Sequence, residues 1–170
     1  MASDYSSDDI YMVLADHINQ TIVAETIFAS GGALEIKTSE EELRADAGEY
    51  GLNELPAIAV ACDLSDADEE NIAQDIVYFT ALVMIYTKGA RLQNAKKEAK
   101  RYAANIERVM EQQGQSDKQL TTVTGDMDNA QSGSVTVERV ASAIAAAEVE
   151  TSMRGVAAMA FRVGIVFTVN

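Results

Sequence analysis

Few residues in this chain could do chemistry, and their spacing gives them little to do it with. His17 is the only histidine, so it has no histidine partner for a metal site or a catalytic triad. Cys62 is the only cysteine, which excludes an internal disulfide framework. It closes the apolar run Ala57-Ile-Ala-Val-Ala-Cys62 and reads as a small core residue. The carboxylates come in runs. Asp63–Asn71, DLSDADEEN, hints at calcium, but it lacks the glycine and the distal glutamate of an EF-hand loop. It reads as a solvated acidic turn. Gly31-Gly32 is not followed by Gly-Lys-Ser/Thr and so is no phosphate loop. No catalytic, cofactor-binding or metal-ligating residue can be nominated, and the expectation is a protein that is not an enzyme and needs no cofactor.

Charge is more informative. The 170 residues carry a net −14, very unevenly placed. Residues 1–75 hold 18 acidic residues against Lys37 and Arg44, or −16; residues 76–170 hold 9 acidic against 11 basic, or +2. An acidic chain does not wrap DNA, because affinity for phosphate comes from Lys and Arg. It could line a channel that DNA passes without sticking, or the charge could serve solubility alone. Seven of the thirteen basic residues fall between Lys88 and Arg108. Lys96, Lys97, Lys100 and Arg101 form a candidate basic patch, either a solvated helix face or a surface that meets an acidic neighbour. The polar, acidic start MASDYSSDD does not read as a signal peptide, and no apolar run is long and clean enough to span a membrane. A soluble protein from a reducing compartment is expected.

The elements that must position these residues are organised around Asp75–Lys88, DIVYFTALVMIYTK. It is uncharged from Ile76 to Thr87 and rich in β-branched and aromatic residues, which favours a strand over the buried helix that an apolar run also allows. Ile76, Tyr78, Thr80, Leu82, Met84 and Tyr86 share one face; Val77, Phe79, Ala81, Val83 and Ile85 share the other. A strand apolar on both faces needs cover on both. At roughly 40 Å it should reach past its own domain, a hint of pairing with copies of itself. Met153–Val169 predicts a second long strand, with Ala157, Met159, Phe161, Val163, Ile165 and Phe167 on one face and Gly155 and Gly164 permitting a bend or bulge.

Two helices should pack on these strands. Residues 6–22 have Ser6 or Ser7 as cap and Ile10, Val13, Leu14, Ile18 and Ile22 at helical spacing. Residues 90–113 place Leu92, Ala95, Ala99, Tyr102, Ile106, Val109 and Met110 in one stripe. Residues 25–56 read as irregular, with a short strand near 34–37 and a short helix near 40–47 whose capping box is Ser39 with Glu42. Ala57–Cys62 should form a short strand and a hairpin with 75–88. Residues 114–133 read as a polar loop or arm, 134–141 as a strand, and 142–150 as ambiguous between helix and strand. The fold class expected is α+β in a single domain: a mostly antiparallel sheet with two long strands, two main helices and long loops.

The whole order resembles the tail-terminator (tail-completion), or head–tail joining, proteins of long-tailed bacteriophages. The likeness rests on Leu55-Pro-Ala-Ile-Ala-Val60, the strand Ile76–Tyr86, the helix Ala90–Glu111 and the closing Ala160-Phe-Arg-Val-Gly-Ile-Val-Phe-Thr-Val169. Neck proteins of tailed phages share much of this pattern, and residues 28–54 and 114–133 exceed what a minimal member needs. The resemblance implies a structural virion protein assembled in the host cytoplasm into a homo-oligomeric ring, a hexamer. Such a ring caps the tail tube and meets a neck or connector protein. It leaves a channel that DNA passes without specific binding, and it involves no membrane. On that implication Glu40, Glu41, Glu42, Asp68, Glu69 and Glu70 are candidate channel-facing acids. The competing expectations are another neck protein, a stopper or head-completion connector, and a small-molecule-binding or regulatory module on a ferredoxin-like sheet.

Overall fold

The computed structural model describes residues 8–29, 38–40, 50–71, 74–113 and 130–168. In chain order the elements are helix α1 (Asp8–Ala29), strands β1 (Thr38–Glu40), β2 (Ala57–Asn71) and β3 (Gln74–Gly89), helix α2 (Leu92–Gln113), and strands β4 (Ala130–Val149) and β5 (Ser152–Thr168). The strands form one sheet in the order β1-β2-β3-β5-β4. β2, β3, β5 and β4 pair antiparallel, and only the short β1 runs parallel to its neighbour. The class is α+β, with two helices on a sheet.

The two long apolar strands form its centre, as their composition predicts. β3 and β5 pair without interruption from Gln74↔Thr168 to Gly89↔Met153. Val77, Phe79, Ala81, Val83 and Ile85 of β3 and Ala157, Met159, Phe161, Val163 and Ile165 of β5 are fully buried. α2 lies over β3, β4 and β5, and α1 over β2 and against α2. Leu14, Ile18 and Ile22 of α1 and Ala99, Ile106 and Val109 of α2 complete the core. Leu92 departs from the expected stripe: as the first residue of α2 it is 44 % exposed. Ile10 and the capping serines lie outside what the structure describes at the side-chain level.

Three expectations are corrected, and the choice left open at 142–150 is resolved. Asp63–Asn71 is not a turn but the outer half of β2, a 15-residue strand. β3 is apolar over nearly its whole length, and each of its backbone groups needs a partner in the sheet; that demand outweighs the poor strand propensity of Asp and Glu. A register shift between Leu64 and Asp66 keeps Leu64 opposite Phe79 and Ala67 opposite Val77. Residues 142–149 are strand, not helix, because pairing with β5 along their length overrides the helical preference of alanine. β4 starts at Ala130, so residues 130–133 belong to a strand, not to a loop. α1 continues to Ala29, past the predicted end at 22. Of the remaining expectations, the strand at 34–37, the helix body at 41–47 and the loop at 114–129 lie outside the described residues; Ser39 and Glu40 are in β1.

Gly155 and Gly164 mark no bulge in the pairing of β5 with β3. Each makes room. A Cβ on Gly155 would sit 2.1 Å from the Ala95 carbonyl oxygen of α2, and one on Gly164 would sit 2.5 Å from Thr136 Oγ1 and 3.0 Å from the Tyr78 ring. Gly155 is thus where α2 touches the sheet backbone. The β4–β5 connection is a two-residue turn with Glu150 at φ 56°.

Candidate assembly surface

Because the side chains of a strand alternate, a core face implies a second face. Here that face is also apolar, and neither described helix covers it. It carries Ile76, Tyr78, Thr80, Leu82 and Met84 of β3 and Val156, Ala158, Ala160, Arg162 and Val166 of β5, all only partly buried. Ala141, Ala143 and Ala145 of β4, in register with Ala160, Ala158 and Val156, are exposed.

One end of this face is closed by residues 50–56. Tyr50 and Leu55 are fully buried with Ala57, Ala59 and Tyr86, and Met84 and Val156 pack against them. The Tyr50 and Tyr86 rings lie 4.8 Å apart. Arg154 on β5, only 6 % exposed, donates through Nη1 to the Tyr50 carbonyl and through Nε to Ser152 Oγ at 3.0 Å. Lys88 Nζ donates to the Leu52 carbonyl at 2.8 Å. Glu54 accepts from the Gly51 amide at 2.6 Å and closes the turn. Sequence reasoning missed this segment and the role of Arg154. The signal available was a basic residue at the start of an otherwise apolar strand, which needs polar partners when buried.

Beyond that end, no described element packs on the open face. Arg162 turns inward on it: the guanidinium carbon lies 3.7 Å from the Tyr78 ring centroid, a cation–π contact that covers apolar ring surface. Glu138 of β4 is the register partner of Arg162. The surface is therefore a broad apolar face with small residues at one margin.

The predicted basic patch is present as a surface. Lys96, Lys97, Lys100 and Arg101 are all exposed. Their spacing puts them on the side of α2 opposite Ala99, Ile106 and the core. The 3.9 Å approach of Arg101 to Glu98 is a weak exposed pair. Arg139 of β4 meets Glu107 of α2 at 3.2 Å and ties strand to helix. The candidate channel acids are only partly placed. Glu41 and Glu42 lie outside the described residues. Glu40 ends β1, and Asp68, Glu69 and Glu70 are in the outer half of β2, with Asp68 opposite Ile76 and Glu69 opposite Asp75. The basic patch and these acids are thus on different elements, a helix face and a strand end.

Cys62 packs against the core from β2, and burial pushes its thiol up to about 12. It stays protonated at neutral pH and is no nucleophile. His17 is half-buried within α1. Among the described residues no group of His, Cys, Asp and Glu could hold a metal ion, and no helix is long and apolar enough to cross a membrane. No family model matches the chain, and no curated protein matches it.

Proposed function

We propose that the chain is an assembly subunit, and specifically a ring-forming structural protein of the tail-terminator kind. In this reading it caps the finished tail tube of a long-tailed phage and joins it to a neck protein, leaving a channel for DNA. The observation that supports assembly is the second apolar face of β3 and β5, open past the 50–56 segment. An apolar face left in water costs about 25 cal/mol for each Å² exposed, and contiguous patches of this kind mark interaction sites. The phage assignment rests on the resemblance in the order and character of the elements. The unequal charge supports the channel: acids in 40–42 and 68–70 would offer phosphates no counter-charge, so a duplex would pass without being held. The basic side of α2 supplies a surface for acidic neighbours.

Light scattering on the purified protein at several concentrations tests the assembly. The expected result is a defined multimer well above the 18.3 kDa chain mass. Its mass should fall, or its dissociation should become detectable, in half-molar salt, because exposed charge pairs are screened over a few Å there. A single-chain mass at every concentration would remove the assembly reading; a multimer indifferent to salt would remove only the role of the Lys96, Lys97, Lys100 and Arg101 patch.

A further inference from the structure

The sheet has two edges, and among the described residues nothing covers β4 or the outer side of β2 from Val60 onward. β4 is an edge strand of 20 residues. From Val140 to Ala147 it carries no charge and no proline, and Val140 is 63 % exposed. Proteins normally blunt such an edge with lysine, proline or brevity, since its free N–H and C=O groups are a template for another strand. The register shifts on this strand, between Ala130 and Val135 and between Arg139 and Ala141, lie before or at the start of the neutral stretch and leave Ala141 to Ala147 regular. At the opposite edge, β1 pairs with Ala57, Ile58 and Ala59 only. From Val60 onward β2 has no described strand on its outer side.

We propose that copies of this chain join edge to edge, with β4 of one copy adding antiparallel to the outer side of β2 of the next. The inference rests on the assembly reading above and names how the copies meet. Strand direction supports it. β2 is antiparallel to β3, β3 to β5, and β5 to β4, so β2 and β4 run in opposite directions. Two copies set side by side by rotation, without a flip, therefore continue the antiparallel alternation across the junction. Charge narrows the choice of partner. The outer half of β2 holds Asp63, Asp66, Asp68, Glu69 and Glu70. Pairing β2 with a second β2 sets acid against acid, which is destabilising across strands. The neutral stretch of β4 brings no such repulsion. Pairing β4 with a second β4 satisfies one edge and stops at a dimer, leaving every β2 edge open. The β4-to-β2 junction uses both edges of every copy, and a head-to-tail contact of this type closes into a ring when its rotation allows.

Cysteine cross-linking on the full chain tests this. In a Cys62→Ala background, Ala141→Cys, Ala143→Cys or Ala145→Cys is placed on β4, and Ala61→Cys or Asp63→Cys on β2. Under mild oxidation, chains with a cysteine on each edge should give a ladder of covalent multimers for at least one combination. Chains with a cysteine on β2 alone or β4 alone should stay single. Dimers from β4-only chains would overturn the proposal in favour of two-fold pairing. If the protein assembles by light scattering and every combination stays single, the edge pairing is wrong while the assembly reading stands. If light scattering gives single chains, both fail. The double variant Ala143→Lys, Ala145→Lys gives a second readout. Both sites are exposed, so its melting should match the parent, while edge lysines should abolish multimers; multimers of unchanged mass would also overturn the proposal.

Discussion

Val83→Asp and Leu82→Asp, one residue apart on β3, should behave in opposite ways. Val83 is fully buried beneath the helices, and a carboxylate there would have neither water nor a partner. That substitution should cost upwards of about 4 kcal/mol, a large share of the roughly 5–15 kcal/mol that holds a domain of this size together. Ile165→Asp, at a fully buried position of β5 paired with Val77, should do the same. Neither variant should yield soluble folded protein. Leu82 is only partly buried on the open face. Leu82→Asp should leave the isolated subunit folded, with melting lowered by a few degrees, and should strip it from the assembly. Circular dichroism melting together with light scattering reads both effects. Equal melting for all three variants would mean that β3 does not lie between a covered face and an open one.

The second large effect is expected at Gly155. Its missing side chain is what lets α2 reach the sheet: an added Cβ would meet the Ala95 carbonyl carbon at 2.6 Å and Thr87 Oγ1 at 2.7 Å. Neither can move alone, because the buried Thr87 hydroxyl donates to the Ala95 carbonyl at 2.9 Å. Gly155→Ala should therefore push the start of α2 off the sheet and cost about 3 kcal/mol, in the range for overpacking a filled core. For a chain of this length that is a fall of roughly 10 °C in melting temperature. Thr87→Val, which removes the hydroxyl and keeps the shape, should cost about 1 kcal/mol. A Gly155→Ala variant that melts with the parent would show that α2 does not approach β5 there.

These two sites mark how far the sequence could be read. The alternation in β3 and β5 placed Val83 and Ile165 each on one face of a strand, while a buried helix stayed open for the apolar run of β3 and nothing local told which face the helices cover. The stripe of α2 was plain, and so was the exposure of Lys96, Lys97, Lys100 and Arg101. What escaped was decided by distant partners. Asp63–Asn71 has the composition of a turn and becomes strand because β3 lies beside it. Ser142–Val149 allowed helix or strand, and its pairing with β5 decides for strand. Gly155 read as a bend, and its true function, admitting the Ala95 carbonyl, depends on a contact with a separate helix. The closure of one end of the open face by Tyr50, Leu55 and Arg154 joins residues 104 positions apart, beyond the reach of any local pattern. The expectation that both faces of β3 need cover is met on one face: the helices lie there, and among the described residues only the 50–56 segment packs on the other.

Electron microscopy of the purified, unmodified protein, with class averages of single particles, tests the central claim most directly. Closed rings of identical copies around a channel wide enough to pass a DNA duplex are expected, with neighbouring copies joined along the β4 and β2 edges of their sheets. Single chains, or compact two-fold dimers without a channel, would contradict it.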